Sequence, residues 1–116
     1  MLTFAANVRI YLHARPTDMR NGFDGLCALV RNVFPADPLD GSLFLFVNRR
    51  GDRIKAMWWD SDGLALFYKR LESGTFERLR GEGDAASVQI DTAQLAMLLS
   101  GIPLRTPRRA RYSRAS

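Results

Sequence analysis

Three apolar segments separated by two short glycine-containing turns constrain the fold of this chain more than any other feature. Residues 43–47 form a continuous apolar run that is too short for a typical helix and rich in strand-favouring residues. Residues 53–59 and 64–71 follow it with strand-like patterns. Strands joined by such short turns run antiparallel. The sequence therefore predicts an antiparallel meander at the centre of the fold.

Shorter elements are predicted before this meander. Residues 8–12 alternate between apolar and polar, as in a first strand. From Phe23 onwards, apolar residues recur at spacings of three and four, which indicates an amphipathic helix ending before Pro35. Asp18 or Asn21 is expected to cap the start of this helix.

The region after the meander is predicted to be less regular. Residues 75–79 are expected to add a short strand, residues 80–86 a mobile loop, and residues 88–90 a brief edge strand. A second helix then starts at a cap provided by Asp91 or Thr92. Its packing face consists of Leu95, Leu98, Leu99 and Ile102.

Together these elements predict one α+β domain over residues 1–102, a small antiparallel sheet of about four strands packed with two helices. A length of 116 residues suits a single domain. Residues 103–116 are expected to form a basic, disordered tail, because they contain five arginines and no acid. The whole chain has 17 basic and 12 acidic residues, so removing those five leaves 12 against 12. The tail either attracts nucleic acid or an acidic surface, or is simply solvated.

Cysteine and histidine content limits the chemistry and the compartment. Cys27 and His13 are the only residues of their types, so neither an internal disulfide nor a Cys/His zinc set is expected. A single cysteine suits a reducing compartment. Residues 1–7 do not resemble a secretory signal, and no apolar stretch has the length of a membrane span. We therefore expect a soluble, cytoplasmic protein that does not bind a membrane and needs no cofactor.

The candidate catalytic residues do not form a recognisable catalytic set. If Asp60 began a calcium loop, its fifth and twelfth positions would be Leu64 and Leu71, which offer no carboxylate. Cys27 falls on the apolar face of a predicted helix, where a thiol is usually inert. The sequence contains no glycine-rich phosphate loop. We therefore expect no enzymatic activity, and a small nuclease is the least favoured alternative.

Basic residues around the predicted meander are the best candidate contact surface. They are Arg49, Arg50, Arg53, Lys55, Lys69 and Arg70. The period of two along residues 53–59 puts Trp59 on the face of Lys55 and Trp58 on the other, so one tryptophan is expected to be buried and the other exposed or covered by a partner. Such a ribbon suits contacts to phosphates and bases. The alternative is that the tryptophans belong to the core and the arginines protect a sheet edge.

Longer strings of the sequence carry a family resemblance that covers most of residues 8–102. They are TDMRNGFDGL at 17–26, LFLF at 43–46, NRRGDRIK at 48–55, WWDSDGL at 58–64, YKRLESGTF at 68–76 and LAMLLSGI at 95–102. In combination they resemble the second-open-reading-frame protein, also called TnpB, of insertion sequences of the sixty-six type. The chain departs from that pattern at residues 77–79, where a tryptophan-proline pair is common in the family.

The resemblance implies an accessory protein in DNA transposition that works beside a separate, larger transposase. It does not extend to the RNA-guided nucleases that share the name TnpB, whose length and catalytic acids are missing here. Recurring polar residues of the family are matched by Asp18, Arg20, Asp24, Arg53, Lys55, Asp60, Lys69 and Arg70. Some of them are candidates for contacts to DNA or to the transposase, and others are expected to be structural.

The leading hypothesis is a non-catalytic accessory factor that binds DNA, the transposase of the same element, or both. Its expected contact residues are Arg49, Arg50, Arg53, Lys55, Trp59, Lys69 and Arg70, with Arg105, Arg108, Arg109 and Arg111 of the tail adding attraction for phosphates. The alternative is a protein-interaction module without direct DNA contact, and a homodimer formed through a sheet edge is one version of it.

Overall fold

Five strands and two helices make up the described part of the chain. The structure is a computed structural model that describes residues 7–76 and 85–101. In chain order the elements are β1 (Ile10–His13), α1 (Phe23–Val33), β2 (Leu43–Val47), β3 (Arg53–Asp60), β4 (Gly63–Arg70), β5 (Ser87–Ile90) and α2 (Thr92–Leu99). Neither helix of this described part has the length and apolar character that crossing a membrane requires.

The strands form one sheet in the order β4-β3-β2-β1-β5. The predicted meander is confirmed, because β2 pairs antiparallel with β3 and β3 with β4. The sheet has five strands where about four were expected, since β5 pairs antiparallel with β1 at the other end. The β1–β2 pair is parallel, against the expectation of a purely antiparallel sheet. The connection through α1 is long enough to return the chain to the end where β1 began.

The expected strand over residues 75–79 is not present where the structure describes it. Thr75 and Phe76 lie outside the strands. Phe76 is buried, and its N–H donates to the carbonyl of Gly51 at 2.6 Å, which folds this segment against the β2–β3 turn. Residues 77–84, which include most of the expected mobile loop, lie outside the described residues, as do Ile102 and the tail.

The two helices pack on opposite faces of the sheet. Alternate residues of β2 separate the two sides: Leu43, Leu45 and Val47 join one core cluster, and Phe44 and Phe46 join the other. The first cluster includes the buried leucines of α2, and the second includes the buried residues of α1. All five residues of β2 are buried, because both faces of this central strand are covered.

Helix α2 begins with the predicted cap and α1 does not. The side chain of Asp91 accepts a hydrogen bond from the N–H of Gln94 at 2.7 Å, and the Gln94 side chain accepts one from the N–H of Asp91 at 3.0 Å. This capping box satisfies two N–H groups at the helix start. The N-cap of α1 is Gly22, which makes no side-chain hydrogen bond, so neither Asp18 nor Asn21 caps that helix. The Asp18 carboxylate binds Arg20 instead.

Candidate nucleic-acid interface

Four of the predicted contact arginines meet at one end of the sheet. Arg49 and Arg50 are exposed in the turn between β2 and β3. Arg53 begins β3 and lies opposite Arg70, the last residue of β4. Residues that are directly opposite in an antiparallel pair point to the same face. The sheet therefore brings together arginines that are up to 21 positions apart in the sequence (70 − 49 = 21).

These arginines line two adjoining hollows. The larger, of about 520 Å³, lies between residues 16–19 of the β1–α1 connection and the turn that carries Arg49 and Arg50. The smaller, of about 330 Å³, is lined by Arg53, Tyr68, Arg70 and Glu72. Arg53 lines both, so the hollows adjoin at this residue, and we treat the two together as one surface. We call it the arginine groove and define it by Arg49, Arg50, Arg53 and Arg70.

The acidic side chains of the groove are each held by a neighbour. Arg20 lies 2.6 Å from Asp18 and Arg70 lies 3.2 Å from Glu72. The side-chain amide of Asn48 donates to Asp52 at 2.8 Å, and this hydrogen bond lowers the pKa of Asp52. Within the described residues Arg49 and Arg50 form no ion pair. These two guanidinium groups are thus available to an anion from outside.

Tyr68 is a groove residue that sequence reasoning missed. Its hydroxyl accepts a hydrogen bond from the Arg53 guanidinium at 3.2 Å, and this contact raises the pKa of Arg53. Nearly half of the tyrosine is exposed, at 49%. The period of two along β4 puts Tyr68 on the same face as Arg70, and that signal would have found it.

Lys55 lies on the groove face of β3 but is buried. It is 6% exposed, and its ammonium donates to the carbonyls of Met19 and Asn21, each at 2.7 Å. The same nitrogen lies 4.8 Å from the centre of the Tyr68 ring, a cation–π distance. Lys55 therefore ties the β1–α1 connection to the sheet and fixes one wall of the groove.

The structure does not bring the other predicted residues into the groove. Lys69 points to the opposite face, where its ammonium donates to the Leu99 carbonyl at the C-terminus of α2 at 2.8 Å. Trp59 shares the face of Arg53 but lies six residues along β3, a distance of about 20 Å. Both Trp58 and Trp59 are half-buried, so the expected contrast between a buried and an exposed tryptophan is not present. Arg105, Arg108, Arg109 and Arg111 lie outside the described residues.

The cysteine and the histidine of the chain both lie away from the groove arginines and are buried. Over residues 7–76 and 85–101, no three His, Cys, Asp or Glu side chains are placed to hold a metal ion together. Cys27 is buried, and burial raises the pKa of its thiol, which disfavours the reactive thiolate. His13 is buried beside Thr17, with its Nδ1 3.1 Å from the threonine hydroxyl.

Asp18 lines the larger hollow, and its pKa shows whether its carboxylate is paired with Arg20. The hydrogen bonds from the Arg20 side chain lower it from 3.8 to about 2. A carboxylate with a lowered pKa stabilises the folded state above its unfolded value, and the contribution disappears as the pH falls through the folded value. We therefore expect the Asp18–Arg20 pair to persist at pH 4 and to open near pH 2. An NMR titration of the side-chain carboxyl carbon measures this pKa.

Arg20→Gln is the control for that titration. Removing the guanidinium should return the pKa of Asp18 towards 3.8 without affecting Asp52, which is held by Asn48. A wild-type Asp18 that already titrates near 3.8 would contradict the ion pair.

Comparisons with known proteins agree with the resemblance in the sequence. The profile of the IS66 Orf2-like protein family matches residues 8–109. Protein y4hO of Sinorhizobium fredii is 45% identical over 107 residues, which is 92% of this chain and 91% of y4hO. Protein y4jC of the same organism is 41% identical over 76 residues, which is 66% of this chain and 65% of y4jC. No solved structure matches. The chain therefore belongs to the IS66 Orf2-like family of accessory proteins, which act alongside the transposase in the transposition of insertion sequences.

Proposed function

We propose that this chain assists transposition as a non-catalytic factor that holds DNA by its phosphate backbone in the arginine groove. The observation that supports the proposal most is the convergence of Arg49, Arg50, Arg53 and Arg70 on adjoining hollows. Guanidinium groups bind phosphate through paired, charge-assisted hydrogen bonds. A cluster of them at the surface also attracts a polyanion before contact.

The shape of the groove favours contacts to the backbone over the reading of bases. Its arginines come from a turn and from strand ends, and none of the four lies on a helix, the element that most often enters the major groove of DNA. The exposed Tyr68 ring adds a flat apolar surface on which a base or sugar can rest. We infer binding that depends little on sequence, with the transposase supplying the choice of site.

The tail arginines are proposed to strengthen this binding without directing it. Arg105, Arg108, Arg109 and Arg111 have no acid among them in the sequence, so they attract any phosphate backbone. The structured groove and the tail therefore differ in their expected behaviour. Loss of the groove should remove defined contacts, and loss of the tail should remove a general attraction.

Fluorescence anisotropy over a salt series tests the proposal, with duplex DNA from an element end and a scrambled duplex. Removing one phosphate contact reduces the slope of log K against log salt by about 0.9. The double variant Arg49→Gln/Arg50→Gln should therefore lose about 2 in slope and bind both duplexes about ten-fold or more weakly.

Two variants of the full chain serve as controls. Arg9→Gln/Arg31→Gln removes the same charge from exposed arginines outside the groove lining, and it should affect binding less than the groove variant does. Replacing the four tail arginines by glutamine measures the contribution of the tail.

Equal losses in the groove variant and its control would reject the groove as a defined site. Salt-sensitive binding that disappears only with the tail changes would reduce DNA contact to a non-specific arm. An absence of DNA binding at low salt would overturn the proposal and favour the transposase as the direct partner.

A further inference from the structure

Strand β4 leaves the longer edge of the sheet open. It has eight residues and pairs only with β3 in the described part of the chain. Residues 63–68 of this strand are Gly-Leu-Ala-Leu-Phe-Tyr, with no charge and no proline. Monomeric proteins protect exposed edges with lysine, proline, bulges or very short strands. The opposite edge strand, β5, has only four residues. By these criteria β4 is, within the described part of the chain, an unprotected edge that is suited to pairing.

The hydrogen bonds of the meander show which groups of β4 face outwards. The N–H of Leu71 donates to the carbonyl of Asp52 at 2.8 Å, so the backbone of Leu71 faces β3. Backbone groups alternate in direction along a strand of an antiparallel pair. Those of Leu64, Leu66, Tyr68 and Arg70 therefore point away from the sheet. Four consecutive outward positions are free to join another strand within the described structure.

We propose that a second copy of this chain pairs along β4, antiparallel and centred on Leu66. Charge complementarity favours this partner and this direction. Exposed Asp60 and Asp62 precede the strand, and exposed Arg70 ends it. Antiparallel pairing of two copies places the acidic start of one beside the basic end of the other, twice by symmetry.

The register follows from the outward groups and the symmetry. Pairing Leu66 with Leu66 of the second copy sets Leu64 opposite Tyr68, all at outward positions with apolar side chains. Arg70 then lies at the level of Asp62, which stands in the β3–β4 turn immediately before the strand, because the residue numbers add up to the same sum (66 + 66 = 70 + 62). In this arrangement Arg70 lies between its own Glu72 and the second copy's Asp62.

The dimer joins the two sheets with their α1 faces on the same side, because the two-fold axis is perpendicular to the sheet. Arg70 is four residues from the centre, so the two Arg70 positions lie about 26 Å apart. Both arginine grooves therefore face the same way. The pairing itself uses backbone groups of β4 and does not require DNA, although Arg70 belongs to both surfaces.

Sedimentation velocity of the full chain tests the proposal, at concentrations up to roughly 100 μM, well above the dissociation constant of a micromolar interface. We expect a species of twice the 13.1 kDa of one chain that forms with rising concentration. A monomer throughout this range would overturn the proposal.

Charge-swap variants locate the interface without touching the core, since Asp62 and Arg70 are exposed. Asp62→Arg and Arg70→Asp should each weaken the dimer about ten-fold, because each puts like charges opposite each other twice. The double variant should restore wild-type association. A dimer that both single variants leave unchanged would show a different interface. Arg49→Gln/Arg50→Gln should leave the dimer intact, so the failure of DNA binding and the failure of dimerisation can be told apart.

Discussion

Phe34→Ala is expected to lower the free energy of unfolding by about 3–5 kcal/mol. Phe34 directly follows α1 and is 6% exposed. Its ring lies 5.3 Å from that of Phe44 and 5.8 Å from that of Phe46, measured between centres. Tyr11 and His13 of β1 contact the same ring at 6.0 and 5.9 Å. Truncation would leave a cavity at the junction of α1, β1 and β2, and rigid neighbouring rings fill such a space poorly.

The measurement is urea unfolding followed by tryptophan fluorescence, with Phe23→Ala as the matched control. Phe23 is the first residue of α1, the helix that Phe34 follows, but it is 45% exposed, so its loss should cost about 1 kcal/mol or less. Similar effects of the two substitutions would contradict the proposed packing of α1 on the sheet. Phe34→Leu should fall between wild type and Phe34→Ala, because it keeps most of the buried volume.

Lys55→Met is expected to lower the free energy of unfolding by about 2–3 kcal/mol, although the side chains are similar in length. The substitution removes two hydrogen bonds from a buried ammonium and leaves the carbonyls of Met19 and Asn21 without that donor. Hydrogen bonds to charged groups each contribute about 1.5–3 kcal/mol, and methionine recovers part of this by apolar burial. The same unfolding experiment measures the change.

Lys69→Met is the control for Lys55→Met. Lys69 is more exposed and donates to a single carbonyl, that of Leu99, so its loss should cost about 1 kcal/mol. Lys55→Met should also weaken DNA binding although Lys55 is buried, because it releases residues 16–19 from their place in the groove wall. A Lys55→Met protein with wild-type stability would show that these hydrogen bonds do not hold the connection.

Much of the fold was predictable because local patterns carry it. The apolar run at β2 and the turns on either side of β3 predict the meander, and the spacings of three and four predict α1. The place before an apolar helix predicts a cap at Asp91 or Thr92, and Asp91 is the one that caps α2. The parallel β1–β2 pair was not predictable in this way, because the direction of β1 depends on how α1 packs across the sheet and not on its own residues.

The candidate site was predictable in part. Arg49, Arg50 and Arg53 are close in the sequence, so a cluster at the first turn was expected, and Arg70 joins it through strand pairing. Lys55 and Lys69 have the same charge as these arginines, yet both ammonium groups bind backbone carbonyls inside the molecule. The sequence alone does not show whether a lysine ammonium faces solvent or donates to a backbone carbonyl of a distant segment.

By itself the sequence determined the meander, both helices and the family of this protein, because these depend on neighbouring residues and on composition. The tertiary structure alone decided that two helices cover opposite faces, that four arginines line adjoining hollows and that β4 is an open edge among the described residues. The physical reason is that these properties arise from contacts between segments far apart in the chain. Such contacts form only when the sheet is assembled and its buried faces are covered.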